Sequence, residues 1–262
     1  MNDVSYTTEN LCFRYNSVPV LRNLHLDFKP GLLHAIVGPN GSGKSTLLDI
    51  LAGHHTPTSG SVRINQVSLS QHRPESLARL TAMVPQEFSF NFPFTVSDAV
   101  LMGRHPHIPR FSRPSSTDMA LIETAMNTMD ISHLANRPLS TLSGGEKQRT
   151  VFARALAQAT PGLLLDEPTS SMDIRHTLTA MAELRRLAHD ENRTIITVLH
   201  DLNMAAAYCD RIVVLHHGQV HAYGTPVAAL TPSSIHDVFG VAAEVTTRTA
   251  SGVLTITYES KE

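Results

Sequence analysis

The chain has 262 residues, 42% of them hydrophobic and 17% charged, which suits one large folded domain or a core with a subdomain. A formal net charge of −2 gives no electrostatic drive toward sequence-independent nucleic-acid binding, so no nucleic-acid partner is expected. Two cysteines, Cys12 and Cys209, without CxxC spacing, argue against a disulfide framework or a zinc–thiolate site and point to a reducing compartment.

The first residues, MNDVSYTTEN, carry no basic-then-apolar pattern, so no secretory signal is expected. Apolar runs such as TIITVL (194–199) are too short to span a bilayer, so work at a membrane would need a separate spanning partner. The 15 histidines include the pairs His54-His55 and His216-His217, and also His105 and His107. None falls into a metal-ligand spacing, and they read as surface or loop residues.

In chain order, residues 21–28 (LRNLHLDF) alternate as a half-buried strand does. Pro30-Gly31 marks a turn, and residues 32–38 form a short apolar strand entering a glycine-rich loop. Residues 45–53 place Leu47, Leu48 and Leu51 on one helical face, with Gly53 as a cap. Residues 59–69 return to strand alternation. From residue 87 the texture changes, first to the aromatic run FSFNFPFTV (88–96), then to the basic, proline-rich loop GRHPHIPRFSRPSS (103–116). Residues 116–129 predict a helix with Met119, Ile122, Met126 and Met129 in one packing stripe. Residues 87–159 therefore read as a helical insertion.

Strand and helix alternation then resumes. A strand ends in LLLDEP (163–168), a helix over 173–189 turns Ile174, Leu178, Met181 and Ala188 inward, and a strand follows over 193–201. A short helix (202–208), a hairpin (211–224) and a tail hairpin about Ser251-Gly252 (244–258) complete the chain. Continuous apolar strands between helices predict a parallel sheet covered on both faces.

The chemistry starts at Gly38-Pro39-Asn40-Gly41-Ser42-Gly43-Lys44-Ser45, which fits GxxxxGK[ST] between a strand and a helix. Glycines let backbone N–H groups turn toward phosphate oxygens, and the helix start adds partial positive charge. Lys44 is placed to reach the β- and γ-phosphates, Ser45 to ligate Mg²⁺, and Thr46 to support the phosphates. Asp166 and Glu167 end the strand LLLDEP. Alternation along a strand would point them differently, Asp166 toward Mg²⁺ through water and Glu167 toward an attacking water as general base.

A second glycine loop, LSGGE (142–146), has no lysine or hydroxyl residue in the positions that P-loop magnesium chemistry needs. Ser143-x-x-Glu146 is equally a capping box. In order, however, the P-loop, LSGGE followed by KQR, and LLLDEPTSSMD resemble the ATP-binding cassette (ABC) ATPases over nearly the whole chain. The resemblance implies an α/β fold: a P-loop NTPase core with a RecA-like parallel sheet and an N-terminal antiparallel β part, carrying an inserted α-helical subdomain. It implies a core over 1–86 and 160–232, a helical signature subdomain over 87–159, and an extension over 233–262 with a short hairpin. It implies that Tyr15 stacks on adenine, that Gln86 senses Mg²⁺ and the attacking water, and that His200 contacts the γ-phosphate. Asp173 matches the D-loop aspartate, although Ser171-Met172 stands where Ala-Leu is usual. Ser143, Gly144 and Gly145 would close over the γ-phosphate held by a second subunit.

The runs FPFTVSDAVLMGRHPH (92–107) and VLHDLNMAAAYCDRIVVLHHGQVHAYGTP (198–226) resemble the importer ATPases for iron–siderophore, haem and vitamin B12. Phe88, Phe90, Phe92 and Phe94 would rim a groove for a permease helix, with subdomain core as the alternative. The implied assembly is a homodimer bound to polytopic permease subunits at the cytoplasmic face of the cell membrane, served by a periplasmic or surface substrate-binding protein. Its cofactors are ATP and Mg²⁺, and its cargo ranks as iron–siderophore, then haem, then cobalamin. Non-transport cassettes usually carry two cassettes or a long coiled coil, and a P-loop kinase leaves LSGGE and His200 unexplained.

Overall fold

The computed structural model describes residues 3–86, 88, 93–247 and 252–259. In chain order they form β1 (Tyr6–Tyr15), β2 (Val18–Phe28), β3 (Leu33–Val37), α1 (Lys44–Leu51), β4 (Ser59–Ile64), β5 (Val67–Ser68), α2 (Pro74–Leu80), β6 (Thr81–Val84), α3 (Val96–Leu101) and α4 (Ser116–Thr128). There follow α5 (Gly144–Gln158), β7 (Gly162–Asp166), α6 (Ile174–Glu191), β8 (Thr194–Val198), α7 (Leu202–Tyr208), β9 (Arg211–His216), β10 (Gln219–Gly224), α8 (Pro226–Ala229), α9 (Pro232–Phe239), β11 (Ala243–Thr247) and β12 (Leu254–Tyr258).

The short apolar strands make a six-stranded sheet in the order β10-β9-β3-β8-β7-β6, parallel throughout except for β10. Each inner strand is apolar at consecutive positions because both its faces are covered. Along β3, Leu33, Ala35 and Val37 enter one core with Phe152 and Met181, while Ile36 enters another with Leu47, Leu51 and Phe28. The second core lies between this sheet, α1 and a four-stranded antiparallel sheet ordered β2-β1-β4-β5.

Several expectations change. Strand β1 belongs to the expected N-terminal antiparallel part, but its pairing with β2 is broken by register shifts, and Asn10 sits at φ 47°. The 59–69 strand is a hairpin: Asn65 and Gln66 both take positive φ (48° and 68°), the requirement of a two-residue turn. Ile174 and Leu178 do not face inward but are 80% and 43% exposed; Met181, Leu184, Leu187 and Ala188 carry the buried stripe of α6. Met119 is likewise exposed, while Ile122, Met126 and Met129 pack. The tail hairpin pairs β11 with β12, and Ser251 of its turn lies outside the described residues.

The basic loop after α3 is tethered. Arg104 is 6% exposed, and its Nε donates to Asp118 Oδ1 at 2.8 Å. Its Nη1 donates to the Ala157 and Gln158 carbonyls at 2.9 and 3.1 Å, and His107 Nε2 donates to the Gln158 carbonyl at 2.9 Å. Gln158 Nε2 in turn donates to the carbonyls of Ala78 and Thr81 at 2.6 and 3.2 Å. His34 departs from the surface reading of the histidines. It is fully buried edge-on to Phe28, donates to the Lys29 carbonyl at 3.1 Å, and burial depresses its pKa to about 4. Among the described residues, no helix is long and apolar enough to cross a membrane.

Candidate active site

Three parallel strands deliver the chemistry at their C-terminal ends. β3 runs into the glycine loop and α1, β7 ends at Asp166, and β8 is followed by His200. Gly43, at φ 100°, makes the turn into α1 so closely packed that an added Cβ would lie 2.5 Å from Leu21 Cδ2. The resulting cleft, of about 570 Å³, is lined by Asn40, Gly41, Gly43, Lys44, Ser45, Thr46, Gln86, Glu167 and His200, together with Val20. Val20 lies at the cleft wall without any motif that could have marked it.

Lys44 is 6% exposed, and its Nζ donates to the carbonyls of Gly38 and Pro39 at 2.9 and 3.0 Å. Burial lowers its pKa, against the attraction of Glu167 and Asp166. Asp166 is buried, and burial raises its pKa; the Ser45 hydroxyl beside it opposes that rise, as does Lys44. Asp166 Oδ1 and Ser42 Oγ are buried without a hydrogen-bond partner among the described residues. An orphaned carboxylate oxygen on a residue beside the Ser45 hydroxyl is a hard-oxygen donor pair that fits Mg²⁺.

Asp166 and Glu167 do point differently, but not by strand alternation. The strand ends at Asp166, and Glu167 takes a left-handed conformation at φ 48° that brings its carboxylate to His200. A carboxylate only accepts, so His200 Nε2 donates to Glu167 Oε1.

Other sequence-singled residues lie elsewhere. Tyr15 is 46% exposed, outside the lining of this cleft; its hydroxyl meets His55 Nε2 at 3.2 Å and its ring stands edge-on to Phe13. Ser143 caps α5 through a reciprocal capping box with Glu146, and Gly144 and Gly145 open that helix. Gly145 is so close to the D-loop that an added Cβ would lie 2.9 Å from the Ser171 carbonyl oxygen. Asp173 caps α6. One chain thus carries the P-loop cleft and the LSGGE helix start at different places.

A separate groove of about 1110 Å³ is bordered by Glu75, Arg79, Phe94, Asp98, Met102 and Phe111. Phe88 and Phe94 pack partly on the core, whereas Phe90 and Phe92 lie outside the described residues. Phe111, 98% exposed at the groove, was missed because it sits in a loop read only as basic and proline-rich.

A GxxxxGKS loop between a central parallel strand and a helix, with an acidic strand end beside it, defines a P-loop nucleotide-binding cassette. A profile of the ABC transporter family matches residues 21–170. The cobalamin import ATP-binding protein of Halobacterium salinarum is 43% identical over 238 residues, covering 91% of this chain; the chain spans 59% of that relative's length. The hemin import ATP-binding protein of Pseudomonas entomophila is 42% identical over 238 residues, covering 89% of this chain and 91% of the relative. An inward-facing structure of a metal-chelate type ABC transporter superposes with a TM-score of 0.83 at 31% identity, covering 99% of both chains. A bacterial ABC transporter cassette solved as a dimer gives 0.75 at 28% identity, covering 84% of this chain and 98% of that one. The chain belongs to the ABC transporter family, as one of its ATP-binding cassettes.

Proposed function

We propose that this chain is the ATP-hydrolysing subunit of an importer for a metal chelate. The observation that carries the reading is the convergence of Lys44, Ser45, Thr46, Gln86, Glu167 and His200 on one cleft. Lys44 exchanges the carbonyls of Gly38 and Pro39 for phosphate oxygens, while the backbone N–H groups of residues 40–46 surround them. Ser45, Gln86 and Asp166 would hold Mg²⁺, which when bound offsets phosphate charge. Glu167 takes the proton of the attacking water, and His200, hydrogen-bonded to it, fixes its carboxylate and faces the γ-phosphate. Tyr15 supplies the stacking surface for adenine.

Ser143, Gly144, Gly145 and Asp173 complete the site of a second copy in a head-to-tail homodimer. This division makes 1–86 and 160–232 the nucleotide-binding core, 87–159 the signature subdomain and 233–262 an extension. The groove at Phe94 and Phe111 seats a permease helix, which holds the protein at the cytoplasmic face of the membrane, and a substrate-binding protein delivers the cargo from outside. The sequence resemblance ranks iron–siderophore first as cargo. The names of the relatives, hemin and cobalamin import proteins, favour haem or cobalamin instead.

The test is Glu167→Gln. ATP affinity stays at the parental value while steady-state hydrolysis falls by about 10²–10⁴-fold, the usual worth of a general base. Unchanged turnover would refute the assignment. Uptake of labelled haem, cobalamin and ferric siderophore by cells carrying this chain with its permease then identifies the cargo.

A further inference from the structure

We infer that His176 is a positioning residue that holds the Asp173 carboxylate against the signature helix, so that the two segments facing a partner's nucleotide keep one geometry. The inference rests on the head-to-tail reading above. An N-cap aspartate needs only a backbone N–H, which Asp173 Oδ1 receives from His176 N at 2.9 Å. Here the His176 ring also folds back, with Nδ1 2.9 Å from both Asp173 oxygens. Since a carboxylate only accepts, Nδ1 carries a proton whether the ring is neutral or cationic. These bonds from His176 also keep the Asp173 carboxyl below the usual carboxylate range.

The other edge of the ring faces the helical segments. Nε2 lies 3.1 Å from Arg149 Nη1 and 3.5 Å from Asp130 Oδ2. Arg149 is buried on α5 and is itself fixed, donating Nη1 to the carbonyls of Met129 and Asp130 at 3.1 and 2.7 Å. The imidazole therefore bridges the D-loop to α5 by accepting at Nε2 from Arg149, and Arg149 carries the link to the turn after α4. The close approach of Gly145 to the Ser171 carbonyl is a second junction between the same two segments.

The Asp173 side chain is 66% exposed and, without the ring, would be held by the His176 backbone N–H alone. Restricting it before a partner arrives removes an ordering cost from association. The link to α5 is made by the neutral ring with its proton on Nδ1, because a protonated Nε2 could not accept from Arg149.

The experiment uses the Glu167→Gln chain as parent, so that the ATP-closed state accumulates. Dimerisation on ATP is followed by sedimentation velocity, and nucleotide affinity of the monomer by titration with a fluorescent ATP analogue. His176→Ala weakens dimerisation by about fivefold or more, because the ordering cost of Asp173 returns at both sites of the dimer, with nucleotide affinity unchanged. His176→Asn, whose amide N–H₂ takes the place of Nδ1–H but cannot reach Arg149, restores only part of the loss. Three results overturn the inference: parental dimerisation in His176→Ala, full recovery in His176→Asn, or nucleotide affinity falling in step with dimerisation. A parent that fails to dimerise refutes the head-to-tail reading instead. Nitrogen-15 NMR of His176 in the monomer then decides the tether: a proton kept on Nδ1 at alkaline pH upholds it, and its absence overturns it.

Discussion

Replacing Arg104 by Ala tests how firmly the loop after α3 is fastened to the signature helix. The guanidinium is buried, pairs with Asp118 at 2.8 Å and donates to two carbonyls at the end of α5. Breaking a buried pair from one side costs about 3–5 kcal/mol. The lower end applies, because Asp118 keeps the Ser115 N–H and hydroxyl, and Gln158 keeps His107. Those Ser115 bonds, more than Arg104, hold the Asp118 carboxyl down at about 2. With an unfolding entropy of about 2.1 cal/mol/K per residue over 262 residues, a loss of about 3 kcal/mol lowers Tm by about 5 °C. Differential scanning calorimetry with urea titration measures it. Nucleotide affinity stays within about twofold, since Arg104 is absent from the P-loop cleft. A stability loss below about 1 kcal/mol would show that the buried cation contributes nothing beyond an exposed pair and would refute the reasoning.

Two further outcomes follow from the same kind of accounting. His34 has a folded-state pKa of about 4 against 6.5 unperturbed, so the unfolded chain binds the extra proton between those values. Stability is complete above about pH 6.5 and falls on acidification by about 1.4 kcal/mol per pH unit, to a total near 3 kcal/mol, in urea melts. His34→Gln should remove that contribution, and an unchanged slope would exclude His34 as its source. Ser143→Arg places a long cation at the start of α5, so ATP should still bind while ATP-driven dimerisation is lost; normal dimerisation and turnover in that variant would refute the head-to-tail site.

The P-loop was legible because its chemistry is local: glycines, a lysine and a hydroxyl at fixed spacing, after a strand buried on both faces. Asp166 and Glu167 are legible as a pair, but strand alternation does not produce their divergence. A left-handed residue directly after a strand has no sequence mark when it is glutamate rather than glycine. The α6 face was misread because Ile174 and Leu178 share the helical period of Met181, yet belong to turns that protrude beyond the core. Periodicity finds a face and cannot say where the covering layer ends. Arg104 was lost within a loop for a related reason. Its burial depends on carbonyls more than fifty residues away, a partner that no local pattern encodes.

The separation of Gly38–Thr46 from Ser143–Gly145 within one chain also has a genetic consequence. If two copies share each nucleotide, a chain with a damaged P-loop still lends a sound LSGGE helix to a normal partner, and a chain damaged at Ser143 does the reverse. Random pairing of equal pools of normal and defective chains leaves only about a quarter of assemblies with two intact sites. Mixing the two kinds of defective chain should restore one complete site per mixed pair, so complementation between alleles would report the geometry without any structure being solved.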